Sequence, residues 1–386
     1  MKKTLLIVLV FCCYAGFAQV DSAYLKWKEQ QEQSFDNYKQ AAEKEFEAYM
    51  KAENEAYNNF VKTGELVWGK GNVVESTQKD WVEYSADGKS RSTVDFETGE
   101  ATIEIIQEPG KTVDNKELEA KVKDLLTNKG KTKDYDSKVE KAVPLQDKPV
   151  LENQVKTPSG EMVTEKNMDK DVKEIVEQVK PEVKTIKGAD NQERQVVTIK
   201  LDLAPDHIKT RAEQYKKEVQ KYCQKWDVDP ALAYAIMQTE SSFNPKAKSY
   251  VPAYGLMQIV PRTAGADCAQ SLKKPFNAPT GNYLYEPENN IEMGVHYLYL
   301  LRKRHFSNVT DKDSQTLCVI ASYNTGAGNL SRALRGDTKI GKAIPQINEM
   351  SYDQLFKQLE KKLLPETQNY IRKVTERMNN FKSWLK

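Results

Sequence analysis

A glutamate at the end of an apolar helical run is the residue in this chain best placed for acid–base work. Glu240 follows ALAYAIMQT (231–239) and precedes a short polar turn that ends at Pro245. Burial disfavours the charged form of a carboxyl and raises its pKa, and an acid that titrates near neutrality can hand a proton to a leaving group. A solvent-facing glutamate at a helix end is the commoner outcome, since Glu is rarely fully buried; on these residues alone both readings stand. No Asp or Glu lies between Ser241 and Ala266, and Asp267 is the next acid along the chain. Phe243, Tyr254 and Met257 either pack around the carboxyl and keep it dry or belong to the core. The three histidines (His207, His296 and His305) are dispersed, and HExxH, zinc-finger, Walker and dinucleotide spacings are all missing, so neither a cofactor nor a metal is expected. Gly326 and Gly328 in NTGAGN read as turn positions rather than a phosphate cradle, because no strand precedes them and no lysine follows in Walker spacing.

The elements that must hold Glu240 are helical. From Pro205 the pattern has helical period almost to the end, through HIKTRAEQYKKEVQKYCQKW, PALAYAIMQTESSF, NNIEMGVHYLYLLRKRHF, DSQTLCVIASYNTG and ETQNYIRKVTERMNNFKSW. The N-terminal part differs. Residues 21–62 read as a long polar helix with an aromatic stripe (Tyr24, Trp27, Phe35, Tyr38, Phe46, Tyr49, Phe60) that forms a packing seam. WVEYSADGKSRSTVDFETGEATIEII alternates like strands, with turns at Asp87-Gly88 and Thr98-Gly99. NKELEAKVKDLLTN and DKDVKEIVEQV read as helices, 129–165 as irregular chain, and ERQVVTIKLDL as a further strand. The expected fold class is α+β: an N-terminal helix and a small α+β accessory domain, then an all-α domain.

With 386 residues, 30% charged and 39% apolar, the chain is long enough for two or three domains and too polar for a multi-span membrane protein. Charge divides unevenly: residues 1–200 carry a net −6 and residues 201–386 a net +8. A basic C-terminal half suits an anionic polymer or surface, or is an ordinary solvated face. Arg302, Lys303, Arg304, Arg332 and Arg335 are candidates for such contacts. The start, MKKTLLIVLVFCCYAGFAQ, has two lysines, an apolar run and small residues at Gly16 and Ala18, the pattern of a secretory signal peptide cut after Ala18. Bulky Phe11 stands before Cys12, where lipid attachment wants a small residue, so lipidated and unlipidated exported forms both stay open. Cleavage at Ala18 leaves Cys223, Cys268 and Cys318, either one disulfide plus one thiol or three buried thiols.

Five blocks in order, ESSFNP (240–245), AYGLMQIVP (253–261), NNIEMGVHYL, ASYNTGAGN (321–329) and ETQNYI (366–371), resemble the lytic murein transglycosylase family of lysozyme-like domains. The accessory part, notably 81–104 and 196–215, resembles the N-terminal domain of the membrane-bound C group of that family. The chain is expected to divide into a signal peptide over 1–18, a helical segment over 19–63, an α+β accessory domain over 64–203 and an all-α domain over 204–386, which the resemblance implies is lysozyme-like and catalytic. It implies that Glu240 is the sole catalytic acid/base and that Ser249 orients the acetamido group or the carboxylate. Met257 and Gln258 would line the sugar cleft beside Tyr254, with Tyr323 and Asn324 opposite and the Tyr370 hydroxyl close to Glu240.

The implied reaction cleaves the β-1,4 bond between N-acetylmuramic acid and N-acetylglucosamine and closes a 1,6-anhydro ring. Ordinary glycosidases place two carboxylates across the bond, and the acid-free stretch after Glu240 fits single-acid chemistry instead. A water-using muramidase and a non-catalytic wall-binding scaffold are the alternatives. The implied partners are peptidoglycan strands and a cell-wall enzyme complex, with no nucleic acid; the implied location is the periplasm, with peripheral or lipid-mediated attachment to the outer membrane.

Overall fold

The structure is a computed structural model that describes residues 3–385, with side chains from residue 22 onward except that of Phe35. The signal-peptide reading, with Cys12 and Cys13, lies outside the described side chains. Helix α1 (Lys3–Trp68) runs past the boundary expected at 63. Among the described side chains, its aromatic stripe forms a seam from Tyr38 onward. Tyr38 donates from its hydroxyl to Ala266 O and Asn277 O (both 3.0 Å), and Phe60 meets Tyr84 edge-on at 5.3 Å. Tyr24 and Trp27 stack on each other and stay exposed. Lys133 bonds Glu53 of α1 at 2.8 and 2.9 Å in a buried ion pair, which ties the irregular 129–150 segment to this helix.

The accessory part contains β1 (Asp80–Tyr84), β2 (Ser90–Asp95), β3 (Glu100–Gln107), α2 (Asn115–Thr127), α3 (Met168–Gln178), β4 (Glu182–Lys187) and β5 (Glu193–Asp202). The strands form one antiparallel sheet in the order β1-β2-β3-β5-β4. Alternation puts Trp81, Val94, Ile103, Ile105 and Ile199 on the face covered by Leu118, Val122 and Leu125 of α2 and Val172 and Ile175 of α3. On the other face Val82, Tyr84, Ile106 and Val196 meet Trp68 at the end of α1. Strand β4 had no sequence signal: it is an almost wholly exposed edge, so no buried face imposes alternation on it.

The C-terminal part is built of α4 (His207–Gln214), α5 (Lys216–Trp226), α6 (Pro230–Ser241), α7 (Ala266–Ser271), α8 (Gly281–Tyr285), α9 (Pro287–His305), α10 (Lys312–Thr325), α11 (Ala327–Arg335), α12 (Ile340–Asn348), α13 (Tyr352–Lys362) and α14 (Pro365–Trp384). Helix α6 starts where Asp229 accepts a bond from Ala231 N (2.8 Å) and Pro230 takes the first helical position. Residues 231–237 are all buried, because apolar side chains occur all round the helix and α5 and α14 pack against it. Cys223, Cys268 and Cys318 are three buried free thiols, which decides between the two readings of the cysteines.

Candidate active site

Glu240 occupies the last turn of α6 and is half-buried. Its Oε1 accepts a hydrogen bond from the Tyr370 hydroxyl on α14 (2.7 Å). Burial pushes the carboxyl up to about 7, against the Tyr370 bond and the Lys79 charge, which both pull it down; the charge of Glu366 adds to the rise. With Oε1 held by a phenol, Oε2 is the oxygen left to carry and deliver a proton. Tyr323 on α10 also lies within the field of Glu240, and its hydroxyl donates to Met257 O (2.7 Å). Beside it Asn324 accepts from Thr367 Oγ1 (2.7 Å), which joins α10 to α14.

The chain leaves α6 through two consecutive left-handed residues, Ser242 (φ 50°) and Phe243 (φ 63°). Non-glycine residues in this region cost about 1–3 kcal/mol each unless their surroundings hold them. Here the surroundings do so. Ser241 Oγ donates to Leu256 O (2.8 Å), Arg211 Nε donates to Ser242 O (3.1 Å), and Phe243 is sealed among Tyr234 and Phe381. The accessory part grips the following residues: Asn244 Nδ2 donates to Asp80 O (3.1 Å) and Lys246 Nζ to Val82 O (2.8 Å) and Asp134 (3.0 Å). The 253–258 turn is fixed from the far side by Asn290, whose amide donates to Tyr254 O and Leu284 O (2.7 Å each) and accepts from Met257 N (2.8 Å). Gly255 has φ +73°, and a Cβ there would overlap Asn290 and the Leu284 carbonyl, so only glycine fits.

Comparison with known proteins assigns both halves. Residues 35–214 match the family model described as membrane-bound lytic murein transglycosylase C, N-terminal domain, and residues 217–344 the one described as transglycosylase SLT domain. A membrane-bound lytic murein transglycosylase C of Haemophilus influenzae (strain PittEE) is 32% identical over 320 residues, 82% of this chain and 86% of the relative. The chain belongs to the membrane-bound lytic murein transglycosylase C family. The relative of that name from Sodalis glossinidius is 33% identical over 325 residues, 84% of this chain and 88% of its own. The 70 kDa soluble lytic transglycosylase of Escherichia coli aligns at 24% identity and a TM-score of 0.37, over 47% of this chain and 26% of that one. The protein is a lytic transglycosylase that acts on peptidoglycan. Because that polymer lies outside the cytoplasmic membrane, the protein is exported.

Within this transglycosylase the residues singled out from sequence fall into two groups. Tyr370 of α14 bonds Glu240 of α6 directly and Tyr323 of α10 lies in its field, while Asn324, the next residue on α10, is tied to α14 through Thr367. The others do not converge on the carboxyl. Tyr254 is core: it packs edge-on to Tyr285 at 5.4 Å and its hydroxyl meets Met50 Sδ of α1 (3.5 Å). Met257 is fully buried against Gly294 of α9, and only its backbone carbonyl reaches the site, through Tyr323. Gln258 is buried, its amide donating to Ala247 O (3.0 Å) and Gly255 O (2.9 Å), so it braces the turn. Ser249 spends its hydroxyl on its own loop, donating to Val251 O and accepting from Ala253 N (3.1 Å). Sequence reasoning singled out none of Lys79, Arg211, Arg377 and Thr367, which lie 29 to 161 residues from Glu240 along the chain, although Arg211 and Thr367 fall within the blocks that carry the resemblance.

Removing the phenol tests this geometry. Tyr370→Phe is expected to lower kcat by about tenfold to a hundredfold, the range for a lost charge-assisted hydrogen bond at a reacting group. It should also move the basic limb of the pH–rate profile upward, since the Tyr370 bond holds the Glu240 carboxyl down. A limb that stays in place would contradict the bond's role.

Proposed function

We propose that Glu240 serves as the single general acid and base of the reaction. Protonated at Oε2, it gives its proton to the oxygen between N-acetylmuramic acid and N-acetylglucosamine as the C1–O bond breaks, while the substrate's 2-acetamido oxygen supports the positive charge at C1. The resulting carboxylate then takes the proton of the muramyl 6-hydroxyl, whose oxygen bonds to C1 and closes the 1,6-anhydro ring. The proton returns to Glu240 and no water is consumed. The observation that carries this is a half-buried carboxyl pushed up to about 7, with one oxygen committed to Tyr370. An acid that titrates there is populated in both forms near neutrality, as a group that donates and then accepts must be. Glu366, the other acid of the block that carries Tyr370, is exposed in the first turn of α14.

Tyr323 and Asn324 are the side chains we assign to the sugar-binding wall next to Glu240, and Ser249 to its rim, where its loop carries the fully exposed Tyr250. Mass spectrometry of the products from purified sacculi decides between the two enzyme readings. Anhydromuramic ends are expected; reducing muramic ends would mean that water reaches C1 and that the enzyme is a muramidase. We extend the reading to location, at the periplasmic face of the outer membrane and in company with other wall enzymes. It is supported by the words membrane-bound in the relatives' names. Among the described residues no helix is long and apolar enough to cross a membrane.

A further inference from the structure

Lys79 belongs to the accessory part, one residue before β1, yet its ammonium lies at the C-terminal end of α6. It donates to Thr239 O (2.8 Å) and Gln238 O (3.1 Å), and Glu240 is the next residue. The last four carbonyls of a helix have no partner within it and carry the negative end of the helix dipole, so a cation there satisfies both needs. The reach of Lys79 is fixed by its own backbone: its N–H donates to Thr77 Oγ1 (3.2 Å) and its carbonyl accepts from Phe96 N (3.0 Å). From the other side Arg377 of α14 donates to Thr239 Oγ1 (3.1 Å) and to Glu97 (3.5 Å), which closes a clasp around the final turn.

We propose that Lys79 is a positioning residue for the transglycosylase reaction, holding the last turn of α6 in register with Tyr370 and keeping a positive charge beside the Glu240 carboxylate, so that the accessory domain completes the catalytic centre. The proposal rests on the reading of Glu240 as the acid and base. The groups that face Glu240 are Tyr370 and Glu366 of α14, Tyr323 of α10, and Lys79. Those that face Lys79 are Glu97, Arg377, Lys373 and Glu240. Burial lowers the Lys79 ammonium to about 8, against the carboxylates of Glu97 and Glu240 that hold it up. Each carboxylate formed at Glu240 is stabilised by that charge. A neutral side chain at 79 removes this help and makes Glu240 hold its proton to higher pH.

The test compares the wild type, Lys79→Met, Lys79→Arg and Glu240→Gln on soluble uncrosslinked glycan strands, reading kcat and kcat/KM across pH together with the thermal midpoint. Lys79→Met is expected to lower kcat by about tenfold with little change in KM, and to raise the basic limb by about half a unit or more. Lys79→Arg, which keeps the charge and can donate to both carbonyls, should return the limb to its wild-type position. A fall in kcat with the limb unmoved would mean that Lys79 serves folding alone and would overturn the proposal. An unchanged Lys79→Met profile beside an inactive Glu240→Gln would also overturn it while leaving Glu240 in its role. Activity in Glu240→Gln would instead remove the reading of Glu240 itself.

Discussion

Glu240→Gln releases soluble muropeptides from purified sacculi about a thousandfold more slowly than the wild type, or slower still, within the range lost when a general acid is removed. The substitution keeps an oxygen to accept the Tyr370 bond (2.7 Å in the wild type) and keeps the side-chain volume, so the loss reports the proton alone. The same variant should be more stable above neutral pH. The wild-type carboxyl titrates at about 7 in the folded chain, against the ordinary 4.5 when unfolded. Between those values the folded state binds the extra proton, so stability falls as pH rises through the window and is lowest above it. Glutamine has no such titration. Its thermal midpoint is therefore expected above the wild type's at pH 8, with the gap closing as pH falls toward 4.5. Equal midpoints at pH 8 would show that the site does not disfavour the carboxylate.

The second large effect concerns folding. Arg211 of α4 is fully buried and donates to Ser242 O (3.1 Å), Gln154 Oε1 (2.7 Å) and Phe96 O (2.7 Å), while its other contact is His207 Nδ1 (2.9 Å). The guanidinium also lies over the Phe96 ring at 4.4 Å. Burial lowers its pKa to about 9, with Tyr215 and Asp95 opposing the shift. Arg211→Met fills most of the space but leaves three buried acceptors without a donor, and removing one partner of a buried charged network costs about 3–5 kcal/mol. A urea midpoint lowered accordingly at unchanged slope is the expected readout. Because Ser242 sits in the left-handed region two residues after Glu240, activity should fall further than stability accounts for. A loss of stability below about 1 kcal/mol would mean that water replaces the guanidinium and that the domain junction is wet.

Much of the molecule was legible along the chain because the information is local. The alternation of 81–106 and its two turns became β1, β2 and β3, and the apolar run 231–239 became α6 with Glu240 at its end. The separated blocks brought the Tyr370 hydroxyl into a hydrogen bond with Glu240 and Tyr323 within its field. Tyr254 and Met257 show where local reading stops. Both were open to cleft or core, with core the commoner fate of an aromatic or thioether side chain, and the position of α1 and the close approach of Gly294 decide for the core. Strand β4 escaped because an exposed edge needs no pattern.

The type of each residue and its near neighbours are set along the chain, so the sequence alone determined the class of fold and, through the separated blocks, the chemistry, and it pointed to Glu240 as the residue proposed as the acid. What it could not determine is the environment of that acid. A carboxyl becomes a neutral-pH acid only through the water removed from around it and the charges brought near it, and both come from distant segments. Tyr370 comes from 130 residues downstream and the Lys79 ammonium from 161 upstream, the latter in a different domain. Electrostatic energy depends on distance in space and on the dielectric between charges. Only the tertiary structure supplies either, and it is there that Glu240 ceases to be an ordinary helix-end glutamate.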